Sequence, residues 1–177
     1  MKYVALLRAV NVGGRNAIKM RALKECLERH GFTAVATFIQ SGNVVFETGE
    51  RSSTQLAGRI ERALSTTFGF DVPIVLRSWA ELKTVVDEAP ASWKRANDLR
   101  RNIAFLRPPR TARQALEEVE TKDGVDTVTA GKGVLYMSTV MTALSSSRLS
   151  RLVTKDIYRD MTIRSYNTCQ RILDLLT

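Results

Sequence analysis

The sequence predicts an α+β chain of two tandem ferredoxin-like (βαββαβ) units, with a linking helix and a C-terminal helix. Three observations carry this. The first 77 residues alternate short apolar runs with amphipathic stripes in the order strand, helix, strand, strand, helix, strand. The same order begins again near residue 100, without a residue-level repeat. Each half also holds a hairpin turn, Gln40-Ser41-Gly42-Asn43 and Gly131-Lys132-Gly133, where Gly and Asn tolerate the positive φ that a tight turn demands. Two β-α-β halves joined by a hairpin make a layer of four strands and two helices. The expected boundaries are 1–77 for a first α/β domain, 78–99 for a linking helix and connector, and 100–177 for a second domain with its terminal helix.

Residues 3–9 form the first predicted strand, apolar at both odd and even positions, so both of its faces should be covered. Cover for the face without helices would come from the other domain or from a second subunit. A helix from about Met20 buries Met20, Leu23, Cys26 and Leu27, and Gly31 supplies the left-handed residue after it. Residues 35–39 and 44–47 are the hairpin strands. Ser52, Ser53 and Thr54 offer a cap for a helix striped with Leu56, Ile60, Ala63 and Leu64. Residues 73–77 make the fourth strand, Pro73 suiting its first position.

Ser78 and Glu81 form a capping box for the linking helix, which Pro90 closes. Residues 91–99 show no clear period. Residues 102–106 read as a strand, Thr111 and Gln114 box the next helix, and 125–129 with 134–138 form the second hairpin. Ser147 is placed as the cap of a helix bearing Leu149, Leu152, Val153 and Ile157. A short strand at 161–163 and a helix from about Thr168 complete the chain.

Composition narrows the class. A hydrophobic share of 44% supports a buried core, and no apolar run reaches membrane-spanning length. Cys26 and Cys169 are too few and too far apart for a disulfide scaffold, so reduced thiols in a cytoplasmic protein are expected. The net charge is +9, concentrated in residues 94–113, where Lys94, Arg95, Arg100, Arg101, Arg107, Arg110 and Arg113 face Asp98 alone. Such a concentration points to an anionic partner, nucleic acid first, or else to a solvated basic connector.

The segments YVALLRAVNVGGRNAIKM, Gly31-Phe32, TFIQSGNVVF and MTIRSYNTCQRIL, taken together, resemble a bacterial family catalogued as domain of unknown function 1697. The resemblance runs over the whole chain. It implies two small α/β domains in tandem and no established activity. The positions that match its motifs are Arg8, Asn11, Gly13, Gly14, Ser41, Gly42, Asn43, Arg164, Asn167 and Thr168. Where the family usually reads arginine-asparagine-tryptophan-asparagine-threonine, this chain has Arg164-Ser165-Tyr166-Asn167-Thr168.

Candidate chemistry is sparse. Gly13 and Gly14 let backbone N–H groups approach an oxyanion, with Arg8 or Arg15 adding charge, although the loop is neither a dinucleotide fingerprint nor a Walker loop. Glycines that merely turn the chain explain it as well. Arg164, Asn167 and Thr168 precede the last helix and offer either an anion site or a cap in which Asn167 pairs with Gln170. In a ferredoxin-like sheet, the turn at 40–43 is expected at the opposite strand end from the loop after the first strand, about 17–20 Å away. An anion shared by Arg8 and Arg164 would join the two domains. His30 is the sole histidine, so no transition-metal site, triad or cofactor is expected. The readings left open are a binding module for nucleic acid or a phosphorylated ligand, an enzyme or sensor for a small phosphorylated metabolite, and a homodimeric interaction protein. No complete catalytic constellation decides among them.

Overall fold

The computed structural model describes residues 1–14, 16–95 and 97–176. The fold is mixed α+β, with two four-stranded antiparallel sheets and several helices. It divides into two compact units, Met1–Leu82 together with Arg171–Thr177, and Lys83–Gln170.

In the first unit, β1 (Lys2–Leu7), α1 (Met20–Arg29), β2 (Thr33–Phe38), β3 (Asn43–Glu47), α2 (Ser53–Phe68) and β4 (Ile74–Ser78) follow one another, and the sheet order is β2-β3-β1-β4. Tyr3, Ala5, Leu7, Val44, Phe46, Ile74 and Leu76 pack against Leu23, Cys26, Leu27, Leu56, Ile60 and Leu64 of the two helices. The opposite face, with Val4, Leu6, Val45 and Val75, is buried as well, as the doubly apolar strand requires. Local signals set the helix ends. Ser52 Oγ accepts from Gln55 N, Gly69 closes α2 at φ 78°, and Gly31 follows α1 at φ 82°. Ser78 and Glu81 form the expected box at the start of α3 (Trp79–Asp87), with Glu81 N donating to Ser78 Oγ at 3.2 Å.

In the second unit, β5 (Leu99–Leu106), α4 (Ala112–Glu118), β6 (Asp126–Gly131), β7 (Val134–Val140) and β8 (Met161–Ser165) build a sheet in the order β6-β7-β5-β8. Thr111 and Gln114 cap α4 reciprocally. α5 (Tyr166–Leu176) starts earlier than expected. The aperiodic stretch before β5 holds a 3-10 turn, Ala91–Lys94, which buries Trp93 edge-on to Tyr136 and Tyr166 at centroid distances of 5.8 and 5.3 Å. Tyr136 Oη donates to Val85 O at 2.7 Å, and burial pushes its phenol up to about 12. Tyr136→Phe keeps the ring packing and strands one carbonyl. We expect it to lower stability by about 1–2 kcal/mol, read as a lower urea midpoint at unchanged m-value.

Two expectations are corrected here. The helix placed after Ser147 is instead a run of 3-10 segments, Met141–Ser146, Leu149–Thr154 and Asp156–Asp160. Hydroxyl side chains compete with helical hydrogen bonds in this stretch. Thr154 Oγ1 donates to Arg151 O at 2.8 Å, and Ser147 Oγ donates to Asp126 Oδ1 at 2.6 Å.

The chain also repeats itself at residue level. Leu7 N donates to Gly42 O and Arg8 N to Pro73 O; Leu106 N donates to Gly133 O and Arg107 N to Asp160 O. Arg77 donates to Leu76 O beside Val4, and Arg164 to Ile163 O beside Ile103. Ala5-Leu6-Leu7-Arg8 therefore corresponds to Ala104-Phe105-Leu106-Arg107, and Leu76-Arg77-Ser78-Trp79 to Ile163-Arg164-Ser165-Tyr166. The offset between these pairs changes along the chain, so no fixed period reveals the match.

Candidate ligand-binding site

Three places bring together residues of chemical interest. The first is the edge of the first sheet where β1 and β2 end. The turn at 40–43 was expected at the far edge, and the structure overturns this. β1 and β2 each run antiparallel to β3, so they run the same way and end together. Asn11 Nδ2 donates to Gln40 O at 2.8 Å and to Ile18 O at 3.0 Å, and Ile18 N donates back to Asn11 Oδ1 at 2.8 Å. Asn16 Nδ2 donates to Ala9 O, while buried Asn43 donates to Phe38 O and Ser41 Oγ. Ala9, Asn11, Asn16 and Ile39 hold φ between 51 and 56°. Left-handed backbone is unusual outside Gly and most strained for β-branched Ile39, and the amide bracing sustains it. The amides of Asn11, Asn16 and Asn43 are thus spent on the loop itself. Gly13 and Gly14, at φ 60 and 73°, remain exposed and open. Arg8 lies just past β1. Arg15 lies outside the described residues.

Around α5, Arg164 is 8% exposed, and its Nη1 donates to Thr162 Oγ1 at 2.7 Å and to Ile163 O at 2.9 Å. Burial lowers its pKa to about 10, while the nearby Cys169 favours its charged form. Cys169 is fully buried, and burial pushes its thiol to about 12, so it stays protonated at neutral pH. The cap differs from the expected Asn167–Gln170 pair: Thr168 N donates to Ser165 Oγ at 3.1 Å. Asn167 is exposed and accepts a long 3.4 Å contact from Arg101. His30 ends α1 with Nδ1 2.8 Å from Cys26 O, and no metal cluster occurs among the described residues.

The basic segment does not form one surface. Lys94 and Arg95 are exposed beside the 3-10 turn. Arg100 and Arg101 are neighbours within β5, and successive strand residues point to opposite faces. Arg101 donates to Trp93 O and lies 5.5 Å over the Tyr166 ring. Arg110 pairs with Asp160 at 2.8 Å, Arg113 with Glu117 at 3.7 Å, and Arg107 N donates to Asp160 O.

Arg100 differs. Its guanidinium has no hydrogen bond, ion pair or ring contact to any described residue. It lines a cleft of about 450 Å³ in the second unit, together with Asn102, Thr139, Ser147, Ser150 and the apolar Met137, Leu144, Leu149, Leu152 and Ile163. The run of 3-10 segments and the helix-side face of the sheet supply these walls. Asp126 anchors the wall. Its Oδ1 accepts from Thr139 Oγ1 at 2.9 Å and Ser147 Oγ at 2.6 Å, and its Oδ2 accepts from Arg148 N at 2.9 Å and Lys122 N at 3.1 Å. Burial acts to raise its pKa, but these donors outweigh it and hold the carboxyl below its ordinary value. The sequence singled out Arg100 only as one of a basic run. Polar residues at alternate positions, Arg100 and Asn102, on the strand that continues with Ala104 and Leu106 were the visible sign of a polar-lined face.

The family model described as "Protein of unknown function (DUF1697)" matches residues 1–136. The chain is a DUF1697 protein. The DUF1697 match ends at Tyr136 in β7, so Arg100 and Asn102 fall within it and the cleft residues from Met137 onward fall outside. This DUF1697 chain is similar to the solved structure of a conserved bacterial protein, SP0830 from Streptococcus pneumoniae, with a TM-score of 0.85 and 26% identity over 99% of this chain and 98% of that one. No curated protein matches it. Among the described residues of this DUF1697 protein, no helix is long and apolar enough to cross a membrane.

Proposed function

We propose that this protein is a binding module for a small anionic ligand, seated in the cleft beside β5 on the second of two ferredoxin-like units. The sheet orders β2-β3-β1-β4 and β6-β7-β5-β8, with helical crossovers before β2, β4 and β6, support the ferredoxin-like description. The observation that carries the function is Arg100, a guanidinium without a partner among the described residues, at a cleft. Arginine presents a planar fork suited to carboxylate or phosphate. Nucleic acid is the weaker partner for two reasons. The basic residues are divided between faces or tied to carboxylates. Of the sheet aromatics that would stack on bases, Phe46, Phe105 and Tyr136 are buried and Phe38 is half-buried, which leaves no set of open rings such as single-stranded RNA uses on such sheets.

The test is calorimetric titration at low salt with acetate, inorganic phosphate, octanoate and a single-stranded oligonucleotide. Arg100→Gln should weaken binding of the small anions about 10-fold or more, the loss expected for a charge-assisted hydrogen bond, with an unchanged unfolding midpoint. Binding of the oligonucleotide alone, or equal anion affinity in the variant, would overturn the proposal.

A further inference from the structure

We infer that the ligand of this cleft is an amphiphile, a medium-length aliphatic chain ending in one anionic head. The inference rests on the anion-binding reading above and adds the chemistry of the rest of the ligand. The register of the second sheet sorts the lining by polarity. Arg100 lies opposite Thr139, Asn102 opposite Met137, and Ala104 opposite Ile163. Along one face of β5 the wall therefore passes from cation and hydroxyl, through an amide beside a thioether, to hydrocarbon. Two residues advance a strand by roughly 6.6 Å, so the change is complete within about 13 Å. Leu144, Leu149 and Leu152 of the 3-10 run line the cleft as well, and Leu144 is 40% exposed at its rim.

A purely ionic ligand would engage Arg100 and leave five apolar side chains facing water. A purely apolar ligand would desolvate Arg100, Asn102 and Ser150 without replacing their hydrogen bonds, since none of these side chains has a described protein partner. An amphiphile satisfies both halves. One negative charge fits better than several, because Arg100 is the only cation among the described residues of the lining. Asp126, in the cross-strand row of Thr139 and Arg100, adds a like charge two strands away, at roughly 9.6 Å. A volume of about 450 Å³ lies within the range of small-molecule pockets, about 300–1,000 Å³, and so matches a dissolved molecule in size.

The test is a titration of the full chain with straight-chain carboxylates from acetate to decanoate, below micelle-forming concentrations. Each buried methylene should tighten binding up to about fourfold until the cleft is filled. Leu144→Asp should flatten the dependence on chain length, and Arg100→Gln should weaken every member while keeping the slope. Circular dichroism and the unfolding midpoint check that both variants fold. Equal affinity for acetate and octanoate, with Arg100 still required, would overturn the amphiphile and leave the anion reading standing. Octanamide binding as tightly as octanoate would remove the charged head, and that reading with it. Sedimentation with anionic lipid vesicles but no binding of dissolved octanoate would assign the ligand to a membrane and overturn the cleft. No binding of any carboxylate would overturn both readings.

Discussion

Gly42→Ala is expected to destabilise the first unit by about 2–5 kcal/mol. Two terms combine. Gly42 holds φ 77°, and a left-handed backbone costs an ordinary L-residue about 1–2 kcal/mol. A Cβ there would also lie 2.6 Å from Val10 Cγ2 and 2.8 Å from Leu7 Cβ, so the end of β1 must shift, and such overpacking costs about 1–3 kcal/mol more. Gly69 is the internal control. It has nearly the same φ, 78°, but an added Cβ meets nothing within 4 Å. Gly69→Ala should cost about 1–2 kcal/mol, the backbone share alone. Urea unfolding of the two variants separates crowding from conformation. Equal losses would show that the loop edge yields and that its close approach to β1 carries no energy.

Asp126→Ala is expected to lower stability by about 2–4 kcal/mol and to loosen the 3-10 run that walls the cleft. The carboxylate collects four donors from residues 122 to 148, and a hydrogen bond to a charged group is worth about 1.5–3 kcal/mol net, without adding up within one network. Its depressed pKa sets the sign of the pH dependence. The unfolded chain takes up the proton first, at about 3.9, so the stabilisation is complete above that value and is lost as pH falls through the lower folded pKa. Glu120 is also depressed, to about 2, by Lys155 and Arg151 at 2.7 and 2.8 Å. That cluster is half-exposed to exposed and screened by salt, whereas Asp126 is 9% exposed. An acid transition that persists in 1 M salt and disappears in Asp126→Asn belongs to Asp126. One that salt abolishes belongs to Glu120.

Short-range physics was legible in the residues. Short continuous apolar runs marked β1, β3 and β7. Hydroxyls at Ser52, Ser78 and Thr111 marked helix starts, and Gly31 and Gly42 marked left-handed turns. Each signal acts over four or five residues, so the chain displays it locally. The misplaced hairpin had a different origin. Strand direction follows from pairing, and the shared antiparallel partner β3 puts the ends of β1 and β2 at one edge.

By itself the sequence determined the order of elements in the first unit, the caps at Ser52, Ser78 and Thr111 and the double burial of β1, because those depend on neighbouring residues and on apolar runs. Tertiary structure alone decided which arginines are committed. Arg110 finds Asp160 and Arg101 finds Trp93 O and Tyr166, while Arg100 finds no described partner. It also decided that Ser147 bonds Asp126 rather than capping a helix, and places Ser147 on the cleft wall. Hydrogen bonds and ion pairs act over about 3 Å in space and are indifferent to separation along the chain, so the partners that select among equivalent side chains appear only when the fold assembles them.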